Sequence, residues 1–89
     1  MVSAKFTESY EKVKTLSTKP SDAELLKLYA YAKVAQKEDI DASPKPGMFD
    51  LKGKAKRNEW QKVVDEGITP EQAEEKYIAL VDELVAKNA

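Results

Sequence analysis

Two groups of side chains in this sequence are spaced to act on a phosphate. Tyr29 and Lys33 lie four residues apart, so a helix would put them on one face. The stretch KPGMFDLKGKAKRNEW, residues 45–60, holds Lys52, Lys54, Lys56 and Arg57, with Trp60 one helical turn after Lys56. The chain carries 15 basic and 16 acidic residues, so this cationic excess is local. An aromatic face can stack on a base for about 1–3 kcal/mol. An ammonium can meet a phosphate in a charge-assisted hydrogen bond of about 1.5–3 kcal/mol. A ligand with both a planar ring and a phosphate therefore suits Tyr29 with Lys33. On a helix Lys52 and Lys56 share a face and Lys54 lies roughly opposite, near a helix start whose free amides also favour an anion. A solvated cationic face accounts for the same pattern, and Tyr29 and Tyr77, both on apolar stripes, equally read as core residues with hydroxyls at the margin.

Other chemistry is poorly supplied. There is no cysteine and no histidine, which removes thiolate nucleophiles, disulfides, the commonest metal ligand and the usual proton shuttle near neutral pH. Glu71, Glu74, Glu75, Asp82 and Glu83 spread along exposed positions of one helix, and no paired-carboxylate or metal-ligand arrangement stands out. KGK lacks the glycine spacing and the hydroxyl residue of a P-loop. The expectation is no enzyme, no metal and no cofactor. Four clustered cations without a wider basic surface are only weak evidence for nucleic acid, which stays a rival partner but is not the one expected. No apolar run approaches the ~20 residues of a membrane span, and MVSAKFTESYEKVK lacks a signal peptide's hydrophobic region. A cytosolic protein without stable membrane insertion is expected.

Eighty-nine residues make one domain, 1–89, with room for one core. Four helices can be read and no strand. Phe6, Tyr10 and Val13 define the first, from about Ser3 to Leu16. Ser21-Asp22-Ala23-Glu24 is a capping box opening a second helix that runs to about Gln36, with Leu25, Leu28, Tyr29 and Ala32 as its stripe. A loop without regular structure is expected from about Lys37 to Asp50, with Pro46-Gly47 fixing a tight turn. Asp50 caps a third helix, Leu51 to Glu66, whose apolar contacts are Trp60, Val63 and Val64; Gly67 ends it. Thr69-Pro70-Glu71-Gln72 starts the fourth, along Ala73, Tyr77, Leu80, Val81 and Leu84.

The whole chain resembles the acyl-CoA-binding protein family, small helical carriers of fatty acyl-CoA esters. Phe6, Val13, Leu16 and the TKP of Thr18 to Pro20 are similar to the family's first helix and its exit. Leu25 to Tyr29 with Lys33 resembles the second helix, KPGMFDLKGKAK is nearly the family consensus, and Tyr77-Ile78 with Val81 and Leu84 resembles the fourth. The resemblance implies an all-α, skewed up-down-down-up four-helix bundle. It places the nucleotide end of CoA among Tyr29, Lys33, Lys56 and Tyr77, with Lys14 nearby. Lys56 would chiefly hold the 3′-phosphate, assisted by Lys33 and the Tyr29 hydroxyl, and adenine would pack against tyrosine. The acyl chain would lie in an apolar groove along helices two and three, with helix one contributing. Three positions depart from the family pattern. Ala32 stands where a second helix-two tyrosine is usual, with Tyr31 about 100° away. Arg57 replaces a tryptophan, and Tyr10 replaces a small residue near the ligand's path. Short insertions fall around Ser43-Pro44 and before Thr69.

The expected function is that of a monomeric carrier and pool former for medium- to long-chain acyl-CoA, without catalysis. The alternative is a helical protein-interaction module whose stripes serve only its core or a protein partner, with no small-molecule ligand.

Overall fold

The computed structural model describes residues 3–17, 19–43 and 45–87; Thr18 and Pro44, in the helix exit and the first insertion, lie outside the described residues. Four helices form: α1 (Ala4–Lys12), α2 (Asp22–Ala35), α3 (Leu51–Asp65) and α4 (Pro70–Lys87). Two single 3₁₀ turns accompany them, at Val13–Thr15 and Ile40–Ala42, and no strand occurs among the described residues.

Local chemistry sets the helix starts. Ser3 Oγ accepts from the Phe6 N–H at 3.2 Å. The capping box at α2 is complete, with the Glu24 N–H on Ser21 Oγ at 3.2 Å and the Ser21 N–H on Glu24 Oε1 at 2.9 Å. Thr69 and Gln72 make the same reciprocal pair before α4, at 3.0 and 3.1 Å. Asp50 Oδ1 accepts from the Gly53 N–H at 2.9 Å. A Cβ at Gly53 would collide with that Asp50 carboxylate. The roughly 1 kcal/mol that glycine costs a helix here is therefore not recoverable by alanine without disturbing a cap of similar worth.

The helix ends depart further from expectation. The first helix was read as continuous to Leu16, but it tightens into 3₁₀ form at Val13 and leaves in extended backbone at Leu16. Gly67, at φ 72°, closes α3 as read. At α2 the left-handed residue is Lys37, at φ 60°, with no glycine to announce it. Its N–H reaches the Val34 carbonyl at 3.0 Å and the Glu38 N–H reaches the Lys33 carbonyl at 3.1 Å. That pair of bonds is a Schellman motif.

The connection between α2 and α3 also differs from the unstructured loop expected. Ile40 is buried, and its 3₁₀ turn is capped by Asp39 Oδ1 accepting from the Asp41 N–H at 3.0 Å. The tight turn is displaced by two positions from Pro46-Gly47: Met48 and Phe49 occupy its corner, closed by the Asp50 N–H on the Gly47 carbonyl at 3.1 Å.

Packing makes α2 the centre of the domain. It lies against both α3 and α4, and α4 also carries α1. Ala30 on α2 and Ala73 on α4 are fully buried, small side chains that permit close helix approach. Phe6, Leu28, Trp60, Val63, Val81 and Leu84 fill the rest of the core. Val64, expected in the contact face of α3, is instead 41% exposed. Among the described residues α1 is not packed on α2, so the two stand apart above α4. This is the all-α, skewed up-down-down-up bundle.

Candidate ligand-binding site

Between α1 and α2, with Tyr77 of α4 also in its wall, lies a cavity of ≈ 590 Å³. That volume is within the usual range for a ligand pocket. Tyr10 and Lys14 line one side, Tyr29, Ala32 and Lys33 the other. A second cavity, ≈ 500 Å³, lies on the α3 side of Tyr29 and Lys33 and is lined there by Lys56, Arg57 and Trp60. A third, ≈ 400 Å³, runs between Leu25 and Leu26 of α2 and Leu51 and Ala55 of α3. The three adjoin. Tyr29 and Lys33 border the first two, Lys56 the second and third, and Lys19 and Leu25 the first and third. The stripe Leu25, Tyr29, Lys33, at four-residue spacing on α2, is their common wall.

Charge concentrates on the ring in the middle. Lys33 Nζ is 5.4 Å from the Tyr29 ring centroid and Lys56 Nζ is 5.5 Å from it. Tyr29 meets Trp60 edge-on at 6.3 Å, and Lys33 Nζ is also 5.8 Å from the Trp60 ring. Two ammonium groups on one aromatic ring, at distances where cation–π attraction operates, form a ready locus for an anion. Lys56 makes no ion pair among the described residues. Lys33 does: the two Glu38 carboxylate oxygens lie 3.0 and 3.1 Å from its Nζ.

The structure sorts the four cations of the 52–57 cluster. Lys52 and Lys56 both border the α2–α3 groove, as their shared face required. Lys54 reaches back to the Met48 carbonyl at 2.7 Å. Arg57 donates to the Ile40 carbonyl at 2.9 Å and the Ser43 carbonyl at 3.4 Å, tying the α2–α3 connection to α3. Lys52, Lys56 and Arg57 border the cavities, while Lys54 and Arg57 hold the preceding chain in place.

Tyr77 is 2% exposed. Its ring lies 4.8 Å from Phe6 and is stacked with Tyr10 at 6.2 Å, so it serves the core and the cavity wall together. Tyr10 is the more accessible ring of that pair, and Lys14 Nζ sits 4.8 Å from its centroid. Tyr10 stands four before Lys14, the same spacing as Tyr29 to Lys33, and that spacing is the sequence signal for this second tyrosine–lysine pair. Tyr31 borders none of these three cavities. It lies towards the acidic side of α3, where burial first, then Glu66 and Glu59, raise its hydroxyl pKa. The structure brings Lys14, Tyr29, Ala32, Lys33 and Tyr77 to one cavity and Lys56 to the next, and leaves Tyr31 apart.

Burial, with a smaller contribution from Tyr10, pushes the Tyr77 hydroxyl up to about 12. A tyrosine raised on folding stabilises the fold fully below its unfolded value of about 10, and that contribution fades as pH climbs through the folded value. The unfolding free energy of the wild type, from denaturant titrations, is therefore expected to fall between about pH 10 and 12, by up to about 2–3 kcal/mol from this group. Tyr77→Phe should lose less over the same window; an equal loss would assign the alkaline instability to other groups.

Among the described residues no cluster of carboxylates, cysteines or histidines could hold a metal ion, and no helix is long and apolar enough to cross a membrane. Comparison with known proteins agrees with the geometry. The family model described as acyl CoA binding protein matches residues 3–81. The Drosophila melanogaster acyl-CoA-binding protein homolog is 49% identical over 89 residues, covering 100% of both chains. The Saccharomyces cerevisiae acyl-CoA-binding protein is 47% identical over 87 residues, covering 98% of this chain and 97% of the yeast one. The crystal structure of Oryza sativa acyl-CoA-binding protein 2 superposes with a TM-score of 0.80 at 35% identity, covering 93% of this chain and 89% of that one. The chain belongs to the acyl-CoA-binding protein family.

Proposed function

We propose that this chain binds medium- to long-chain fatty acyl-CoA esters and serves as a monomeric cytosolic carrier and pool former. The observation that carries the reading is the adjacency of a cation-flanked aromatic site to an aliphatic groove. Tyr29 with Lys33 and Lys56 suits a phosphorylated nucleotide, and Leu25, Leu26, Leu51 and Ala55 suit a hydrocarbon chain. Leu51 is 75% exposed on the rim of this groove, and an acyl chain laid there would cover it. Adenine would pack against tyrosine in the α1–α2 cavity, with Lys14 at its edge. The relatives are named as binding proteins, and this chain is a binding protein rather than an enzyme.

The chain should dominate the affinity. Burying ~14 methylenes at ~0.8 kcal/mol each offers about 11 kcal/mol gross, and the headgroup then selects CoA esters over free fatty acids. Titration calorimetry should rank palmitoyl-CoA far above CoA and above palmitate, with no hydrolysis of the bound ester. Palmitate binding as tightly as palmitoyl-CoA would remove the headgroup role, and no binding of palmitoyl-CoA would overturn the reading.

Ala32 tests the nucleotide end. It lines the α1–α2 cavity beside Tyr29 and Lys33 and is 8% exposed. A tyrosine there would turn its ring into the cavity, so Ala32→Tyr is expected to strengthen binding by up to ~1–3 kcal/mol, the range of one stacked base. The gain should appear with CoA and acyl-CoA alike. A gain confined to the acylated ligand would place the new ring against the chain instead.

A further inference from the structure

The Lys33–Glu38 pair stands inside the anion site, and the fold fixes it there. The left-handed Lys37 reverses the chain after α2 and sets the Glu38 N–H on the Lys33 carbonyl at 3.1 Å. The same reversal holds the Glu38 carboxylate on the Lys33 ammonium through both oxygens, at 3.0 and 3.1 Å. Backbone and side chain of Glu38 thus both engage Lys33. Glu38 also borders the cavity shared by Tyr29, Lys33, Lys56 and Trp60. Of the two ammonium groups on Tyr29, Lys56 is free of carboxylates and Lys33 is already neutralised. A phosphate monoester, at −1.5 to −2 charges near neutral pH, must displace the carboxylate from Lys33 or bind beside a like charge, and both weaken it.

Building on the acyl-CoA reading above, we infer that Glu38 is a resident competitor for the ribose 3′-phosphate, which lowers affinity for that group and relaxes selection for it. The carboxylate itself occupies a place on the Lys33 ammonium. Its charge acts on the phosphate nearest Lys33, while the acyl groove, bordered by Lys19, Lys52 and Lys56, lies outside its contacts.

The experiment measures CoA and dephospho-CoA, which lacks only the 3′-phosphate, against wild type, Glu38→Gln and Glu38→Ala, with palmitoyl-CoA on the wild type as the reference. Thermal melts of each variant confirm folding; the side chain is half-exposed and its backbone bonds remain. Both variants are expected to bind CoA about two- to fivefold more tightly, in keeping with loss of one partly exposed ion pair. Dephospho-CoA should change less than twofold, so that discrimination between the two ligands widens. Unchanged or weaker CoA binding would overturn the inference, weaker binding making Glu38 a residue that positions Lys33. Equal tightening of both ligands would also overturn it, reducing Glu38 to a general contribution to the surface field. Failure of the wild type to bind palmitoyl-CoA would bring down the carrier reading and this inference together, whereas the other failures touch Glu38 alone.

Discussion

Trp60→Ala is expected to lower folding stability by about 3–5 kcal/mol, the usual cost of emptying a buried aromatic site. For a domain of this size that is a large part of the whole margin. The reason lies in how little else holds α3. Trp60 and Val63 are its only buried residues among those described, and Val64 faces out. Trp60 is 2% exposed and carries the edge-on contact with Tyr29. Its removal would loosen α3 from α2 and open the cavities that both helices wall. Urea denaturation should show the midpoint fall together with a loss of ligand affinity. A drop below about 1 kcal/mol would mean the site collapses onto the smaller side chain without penalty. Trp60→Phe should cost much less. The indole N–H is buried without a hydrogen-bond partner among the described residues, and phenylalanine removes that desolvated donor along with the lost area.

Lys56→Ala is expected to weaken acyl-CoA binding by roughly 1.5–3 kcal/mol while barely altering stability. The exposed ammonium stands 5.5 Å from the Tyr29 centroid and makes no ion pair among the described residues, so in the free protein it contributes only an exposed cation–π contact of about 0.5–1 kcal/mol. With ligand bound it would face a phosphate in a partly desolvated site, where a charge-assisted hydrogen bond is stronger. The loss should be the same for CoA and for palmitoyl-CoA, because the headgroup is common to both. Calorimetry on the two ligands and a thermal melt decide it: binding unchanged within error removes the phosphate role, and a large fall in melting temperature makes Lys56 structural.

Where the chemistry was local, the sequence already held it. The caps at Ser21, Asp50 and Thr69 need only residues three apart, and Tyr29 meets Lys33 because four residues make one helical turn. Lys56 joins them from α3, with its Nζ 5.5 Å from the Tyr29 ring centroid. What was not legible depends on where the chain passes between helices. Arg57 finds the Ile40 carbonyl seventeen positions away only because Ile40 is anchored in the core. Glu38 meets Lys33 only because Lys37 takes a left-handed conformation that no glycine signals. The length of α1 was overread because its apolar spacing continues through Val13 and Leu16 while the backbone tightens beneath it. Tyr77 reads from the sequence as either core or ligand contact, and the fold gives its one buried ring a place in both the core and the cavity wall.

Trp60 has one more consequence. It is the only tryptophan in the chain, and it sits against the ring that Lys33 and Lys56 flank. Indole emission responds to nearby charge and polarity, so a ligand phosphate that draws Lys33 away from the ring would alter the fluorescence of a single, buried chromophore. The protein therefore carries an intrinsic optical reporter in the wall of the cavity that Tyr29, Lys33 and Lys56 share. Filling the site, and exchanging Glu38 for a ligand anion, should be readable in real time by rapid mixing, with no label attached.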